Sequence, residues 1–70
     1  MAVKETYSIM GKHPGDGEFL KARDPEEAIA LFLSEGDIDL FGEIFGEALI
    51  NGEEKADGSF VLGDYIVRKI

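Results

Sequence analysis

Asp24–Gly36, DPEEAIALFLSEG, is the stretch around which the rest of the chain is read. Asp24 suits a helix N-cap, and Pro25 suits the first helical position, where its missing N–H has no intrahelical partner. Glu27 stands three residues after Asp24, the place of a capping-box carboxylate, and Glu26 and Glu27 both favour the positive end of a helix. Ala28 to Leu33 is unbroken apolar sequence, with Ile29, Phe32 and Leu33 on one stripe and Ala28 beside them. Gly36 offers a left-handed residue to end the helix. The expectation is a buried helix lying on a sheet.

Toward the N-terminus, Glu18–Arg23 reads as a strand with Leu20 and Ala22 on one face and Lys21 and Arg23 on the other. Phe19 falls off that inward face. Gly11–Gly17, GKHPGDG, has three glycines and one proline in seven residues and reads as a loop. Before it, Val3–Met10 alternates as a second strand, with Val3, Tyr7 and Ile9 on one face and Lys4, Thr6 and Ser8 on the other. The two strands are expected to pair antiparallel.

Toward the C-terminus, Gly36–Gly52, GDIDLFGEIFGEALING, carries a short echo, FGEI then FGEA. A helix places Asp39, Glu43 and Glu47 in an arc of about 80°, with Leu40, Phe41, Ile44, Phe45, Ala48 and Leu49 opposite. A strand would mix Phe41, Glu43, Phe45, Glu47 and Leu49 on one face. Helix separates apolar from charged more cleanly and is the expected state, although Gly42 and Gly46 each cost about 1 kcal/mol relative to Ala. Those two glycines could instead admit another element at close range. Glu53–Gly58 reads as a polar connection ending in an Asp57-Gly58 turn. Ser59–Ile70 reads as strand, interrupted by Gly63-Asp64 as either a bulge or a hairpin turn. The expected fold is α+β: one domain, residues 1–70, ordered β-β-α-α-β, with a three-stranded, mostly antiparallel sheet and helices on one face. A turn at Gly63-Asp64 would add a strand.

Seventy residues give a small core. With no Cys and one His, the chain has no disulfide and no Cys/His structural zinc site. A domain this small without staples often gains by pairing, so a homodimer is a candidate state. No run is long enough to span a membrane, MAVKETYS lacks a signal-peptide core, and the absence of Cys fits a cytoplasmic location. Net charge is −8, unevenly spread. Residues 1–25 carry four acids and four bases, residues 26–64 eleven acids against Lys55 alone, and residues 65–70 add Arg68 and Lys69. Such a middle segment repels nucleic acid and attracts a basic protein groove; the plainer role of its acidity is solubility.

Specific chemistry finds little support in the motifs. Asp37, Asp39, Gly42 and Ile44 match positions of a calcium loop, but Phe41 and Ala48 stand where ligands are required. His13 lies between Lys12 and Pro14, and Ser8, Ser34 and Ser59 have no nucleophile motif around them, so an enzyme is not expected. The GKHPGDG loop joins strand to strand and lacks a phosphate-cradle pattern. No cofactor and no metal are expected.

What remains is surface. Asp39, Glu43 and Glu47, about 6 Å apart along a helix, approach the spacing of phosphates, and Glu53, Glu54 and Asp57 would extend the ridge. In size, charge and lack of catalytic residues the chain is similar to the small inhibitors that phages deploy against host nucleases, anti-CRISPR proteins among them. That likeness implies a non-enzymatic nucleic-acid mimic that blocks a basic site on a nuclease or other nucleic-acid-binding partner. The alternative is an interaction or assembly module working through the sheet, with Phe19, Phe60 and Tyr65 as contacts.

Overall fold

The structure, a computed structural model, describes residues 3–11 and 17–70. Its elements are β1 (Glu5–Met10), β2 (Gly17–Ala22), α1 (Pro25–Ser34), α2 (Ile38–Asn51), β3 (Glu53–Glu54), β4 (Phe60–Leu62) and β5 (Tyr65–Lys69). The strands form one sheet in the order β2-β1-β5-β4-β3, with every neighbouring pair antiparallel. The fold is α+β as expected, but the sheet has five strands instead of three and the element order is ββααβββ.

Both extra strands form where a turn brings the chain back to pair with itself. Gly63-Asp64 is a two-residue turn: Leu62 pairs with Tyr65, and Gly63 sits at φ 60°, a value that favours glycine at the first corner of a hairpin. The C-terminal run therefore folds back on itself. Glu53–Glu54, expected within a connection, pairs with Phe60 and Val61. The Lys55–Ser59 turn closes that pairing, as Lys55 N–H donates to the Ser59 carbonyl and Gly58 N–H to that of Lys55. Gly58, at φ 90°, supplies the left-handed corner.

The register fixes two faces. Tyr7 pairs with Leu20, Ile9 with Val67, and Phe60 with Val67, so Tyr7, Ile9, Leu20, Ala22, Phe60, Leu62 and Val67 share one face. That face packs under α1, whose Ala28 and Ile29 are fully buried and whose Phe32 and Leu33 are partly so. Helix α1 begins as predicted: Asp24 is the N-cap, accepting from Glu27 N–H at 2.7 Å, with Pro25 in the first turn. The reciprocal half of the capping box lies one residue earlier than expected. The Glu27 carboxylate accepts from Arg23 N–H at 2.8 Å and from the Arg23 guanidinium at 2.8 Å. The left-handed stop falls first on Glu35 (φ 50°) and then on Gly36 (φ 90°).

Residues 38–51 are helical. Asp37 caps them by accepting from Leu40 N–H at 3.1 Å, which uses the carboxylate that the calcium reading would have needed. Helix α2 packs against α1 and meets the sheet at its C-terminal end, where Gly52 abuts Phe60. The small buried residues Ala28, Ala30 and Ser34 of α1 and Ala48 of α2 permit this close helix pairing.

Candidate functional site

The first candidate is the acidic face of α2. One turn apart along the helix, Asp39, Glu43 and Glu47 are all exposed. Among the described residues no Lys or Arg lies within ion-pair distance of these three. Among the described residues, no ion pair compensates their charge.

The other predicted ridge residues are differently placed. Glu53 accepts from Lys55 Nζ at 2.8 Å, which holds its carboxyl below the usual glutamate range and raises the lysine. Asp57 accepts from the Ser59 hydroxyl at 2.6 Å and Ser59 N–H at 2.9 Å, and Arg68 stands 3.9 Å away. Those hydrogen bonds lower the Asp57 pKa, with Arg68 adding to the effect. Glu54 and Asp57 line a cleft of about 610 Å³ with Glu5, Arg68 and Lys69, and within it Lys69 pairs with Glu5 at 3.2 Å. These carboxylates sit among cations. They extend the α2 row in sequence, and their charge is partly spent inside the chain.

Two further surface features stand beside the ridge. The first is how little of α2 is buried. Of the apolar side expected to pack inward, only Ala48 is fully buried; Phe41, Ile44 and Phe45 are partly covered, and Leu49 is 60% exposed. Ile38 at 85% and Ile50 at 81% exposure add to this surface. The cause is geometric: α2 lies on another helix, so a narrow line of contact replaces a broad sheet face. Phe41 and Phe45 stack on each other instead, with ring centroids 5.8 Å apart. Among the described residues, no other element approaches Gly42 or Gly46: a methyl group added at either would meet nothing beyond its own helix backbone within 4 Å.

The second feature is the face of the sheet turned away from α1. By register, Phe19, Ser8 and Arg68 form one row across it, and Met10, Ile66 and Val61 form the next. Phe19 is 69% exposed, and Met10 and Ile66 are exposed beside it. Of the three aromatic contact candidates only Phe19 is on the surface. Phe60 is buried in the core, and Tyr65 packs edge-on against Phe32, with centroids 5.8 Å apart. Phe19's departure from the inward pattern was the available signal.

No protein-family model, characterised protein or solved structure matches the chain. Among the described residues, no helix is long and apolar enough to cross a membrane, and no cluster of three or more His, Cys, Asp or Glu could hold a metal ion. His13 lies outside the described residues.

Proposed function

We propose that this protein is a non-enzymatic binding protein of the inhibitor type. In this reading α2 presents Asp39, Glu43 and Glu47 to a basic site on a nucleic-acid-binding partner, as a stand-in for the phosphates that the site normally holds. The observation that carries the reading is the contrast between carboxylates. Glu27, Glu53 and Asp57 are hydrogen-bonded to other side chains, whereas the three on α2 point to solvent with no described cation within ion-pair distance. Such a row in a strongly anionic chain steers a basic partner and fixes its register. Glu53, Glu54 and Asp57 then act at the margin of the contact, and the protein works in the cytoplasm. Its class is that of the phage anti-CRISPR inhibitors.

The test is capture from bacterial lysate with the intact chain, salt-gradient elution, and competition with a short duplex DNA. The expected result is a nucleic-acid-binding protein released at moderate salt and displaced by the duplex. A captured partner that ignores the duplex and survives high salt would overturn the mimic reading. It would favour the assembly-module alternative, for which exposed Phe19 is the supporting observation.

A further inference from the structure

The cleft at the start of α1 holds a buried polar group to which the described chain gives no partner. By strand alternation Glu5, Tyr7, Val67 and Lys69 lie on the α1 side of β1 and β5, and they line the cleft together with Pro25 and Glu54. It opens here because β4 begins at Phe60, opposite Val67, and leaves the last inward residue of β5, Lys69, without a β4 neighbour. Tyr7 is only 6% exposed, yet its hydroxyl makes no hydrogen bond to any described residue. Among the described residues no sealed side-chain oxygen or nitrogen lacks a partner, so this hydroxyl is not enclosed in the core: it reaches the cleft that Tyr7 lines. There it can donate one hydrogen bond and accept another.

The charges around the hydroxyl select the sign of what it meets. Lys69 stands 3.2 Å from Glu5 and Arg68 3.9 Å from Asp57, so both cations of the cleft already face an acid. Glu54 has no hydrogen bond and no ion pair among the described residues. Burial, with the charges of Asp24 and Glu54, raises the pKa of Glu26; burial, with Glu5, Asp24 and Glu26 among the charges, raises that of Tyr7. Glu26 therefore lies near both Tyr7 and Glu54. An anion entering the cleft would have to displace Glu5 from Lys69, whereas a cation displaces nothing. No group of three His, Cys, Asp or Glu among the described residues could hold a metal ion, so the cation that fits carries N–H donors.

We propose that this cleft binds a guanidinium group, whose N–H groups donate to the Glu54 carboxylate and the Tyr7 hydroxyl oxygen while its alkyl stem lies against Pro25 and Val67. A guanidinium suits two acceptors from different elements better than an ammonium does, because its donors are spread over a rigid plane and it is more weakly hydrated. The group belongs either to a free guanidine compound or to an arginine side chain, which present the same chemistry. The volume of about 610 Å³ admits both. None of Asp39, Glu43 and Glu47 lines the cleft, so this site goes beyond the inhibitor reading and fails or stands apart from it.

Amide NMR titration of the full chain with agmatine and with N-acetylarginine amide, each to about 20 mM, tests the proposal, with N-acetylcitrulline amide as the neutral isostere. The expected result is a saturable shift at Tyr7, Glu54, Ser59 and Lys69 with at least one of the two guanidinium probes and none with citrulline. Glu54→Gln is expected to weaken binding at least about tenfold and Tyr7→Phe about fivefold, while Glu43→Gln on α2 leaves it unchanged. Glu54 is exposed and Tyr7→Phe removes only the unbonded hydroxyl, so both variants should keep the wild-type far-UV spectrum. Tighter binding of agmatine assigns the site to a free guanidine compound and tighter binding of the amide to an arginine side chain; either supports the proposal. No saturable shift with either guanidinium probe overturns it, as do shifts centred on the α2 carboxylates, equal binding of citrulline, or an affinity unchanged in Glu54→Gln or in Tyr7→Phe.

Discussion

Gly52→Ala probes the junction on which the α2 position depends. Gly52 has φ −69° and ψ 145°, an extended backbone that any residue adopts, so alanine brings no dihedral strain. The obstacle is space. A Cβ at this position runs into Cζ of Phe60 and stands 2.7 Å from its Cε1 and 2.5 Å from the Ala48 carbonyl oxygen. That carbonyl is held by the Gly52 N–H at 3.0 Å, and Phe60 is buried in the core, so neither can yield freely. Overpacking of this kind costs about 2–3 kcal/mol. A 70-residue domain has about 4–10 kcal/mol of stability in all. The expected fall in Tm is roughly 10–20 °C, read by circular dichroism or calorimetry. In a Phe60→Leu background the ring is gone, and the further loss from Gly52→Ala should shrink by at least about 1 kcal/mol. A Gly52→Ala protein as stable as wild type, or one whose loss is unchanged in the Phe60→Leu background, would refute the packing of α2 against β4.

Gly42→Ala and Gly46→Ala should behave oppositely, each stabilising by up to about 1 kcal/mol in urea denaturation, because both are helical and face open space. Asp24→Ala should cost about 1 kcal/mol through loss of the α1 cap, measured the same way. Hydrogen bonds from Arg23 hold the Glu27 carboxyl below its ordinary range, so its contribution is present above about pH 4.3 and is lost as pH falls through the lowered value. Wild type should therefore lose more stability than Glu27→Gln between pH 7 and pH 3. Burial, with Asp24 nearby, pushes Glu26 the other way, so Glu26→Gln should be the more stable protein at pH 7 and match wild type at pH 3.

The parts legible in the sequence were those encoded locally. DPEE specifies the α1 start through a cap, a proline and two acids, and the Tyr7/Ile9 and Leu20/Ala22 alternation specifies which faces of β1 and β2 turn inward. The acid-to-apolar separation at helical period identifies α2. What escaped was set by tertiary context. Glu53–Glu54 has no apolar alternation, so its pairing exists only because the Lys55–Ser59 turn returns the chain to it. Gly63-Asp64 fits a bulge or a turn equally well until β4 and β5 find each other. For α2, periodicity shows which side is apolar but not how much of it a neighbour covers; contact with a single helix leaves Leu49, Ile38 and Ile50 outside. The carboxylate ridge was legible only in part for the same reason. Helical period alone aligns Asp39, Glu43 and Glu47, whereas the partners of Glu53 and Asp57 come from a turn and, for Arg68, from β5.

In the proposed function, Asp39, Glu43 and Glu47 make the contact with the partner. The most direct measurement is the affinity of the captured partner for wild type and for Glu43→Lys/Glu47→Lys across a salt series, with far-UV circular dichroism of both proteins. Both side chains are exposed, and neither has a described cation within ion-pair distance, so the fold should be unchanged. Wild-type binding is expected to weaken steeply with salt, and binding by the double variant to be too weak to detect at any salt. Equal affinity of the two proteins, with the same shallow salt dependence, would contradict the proposed contact.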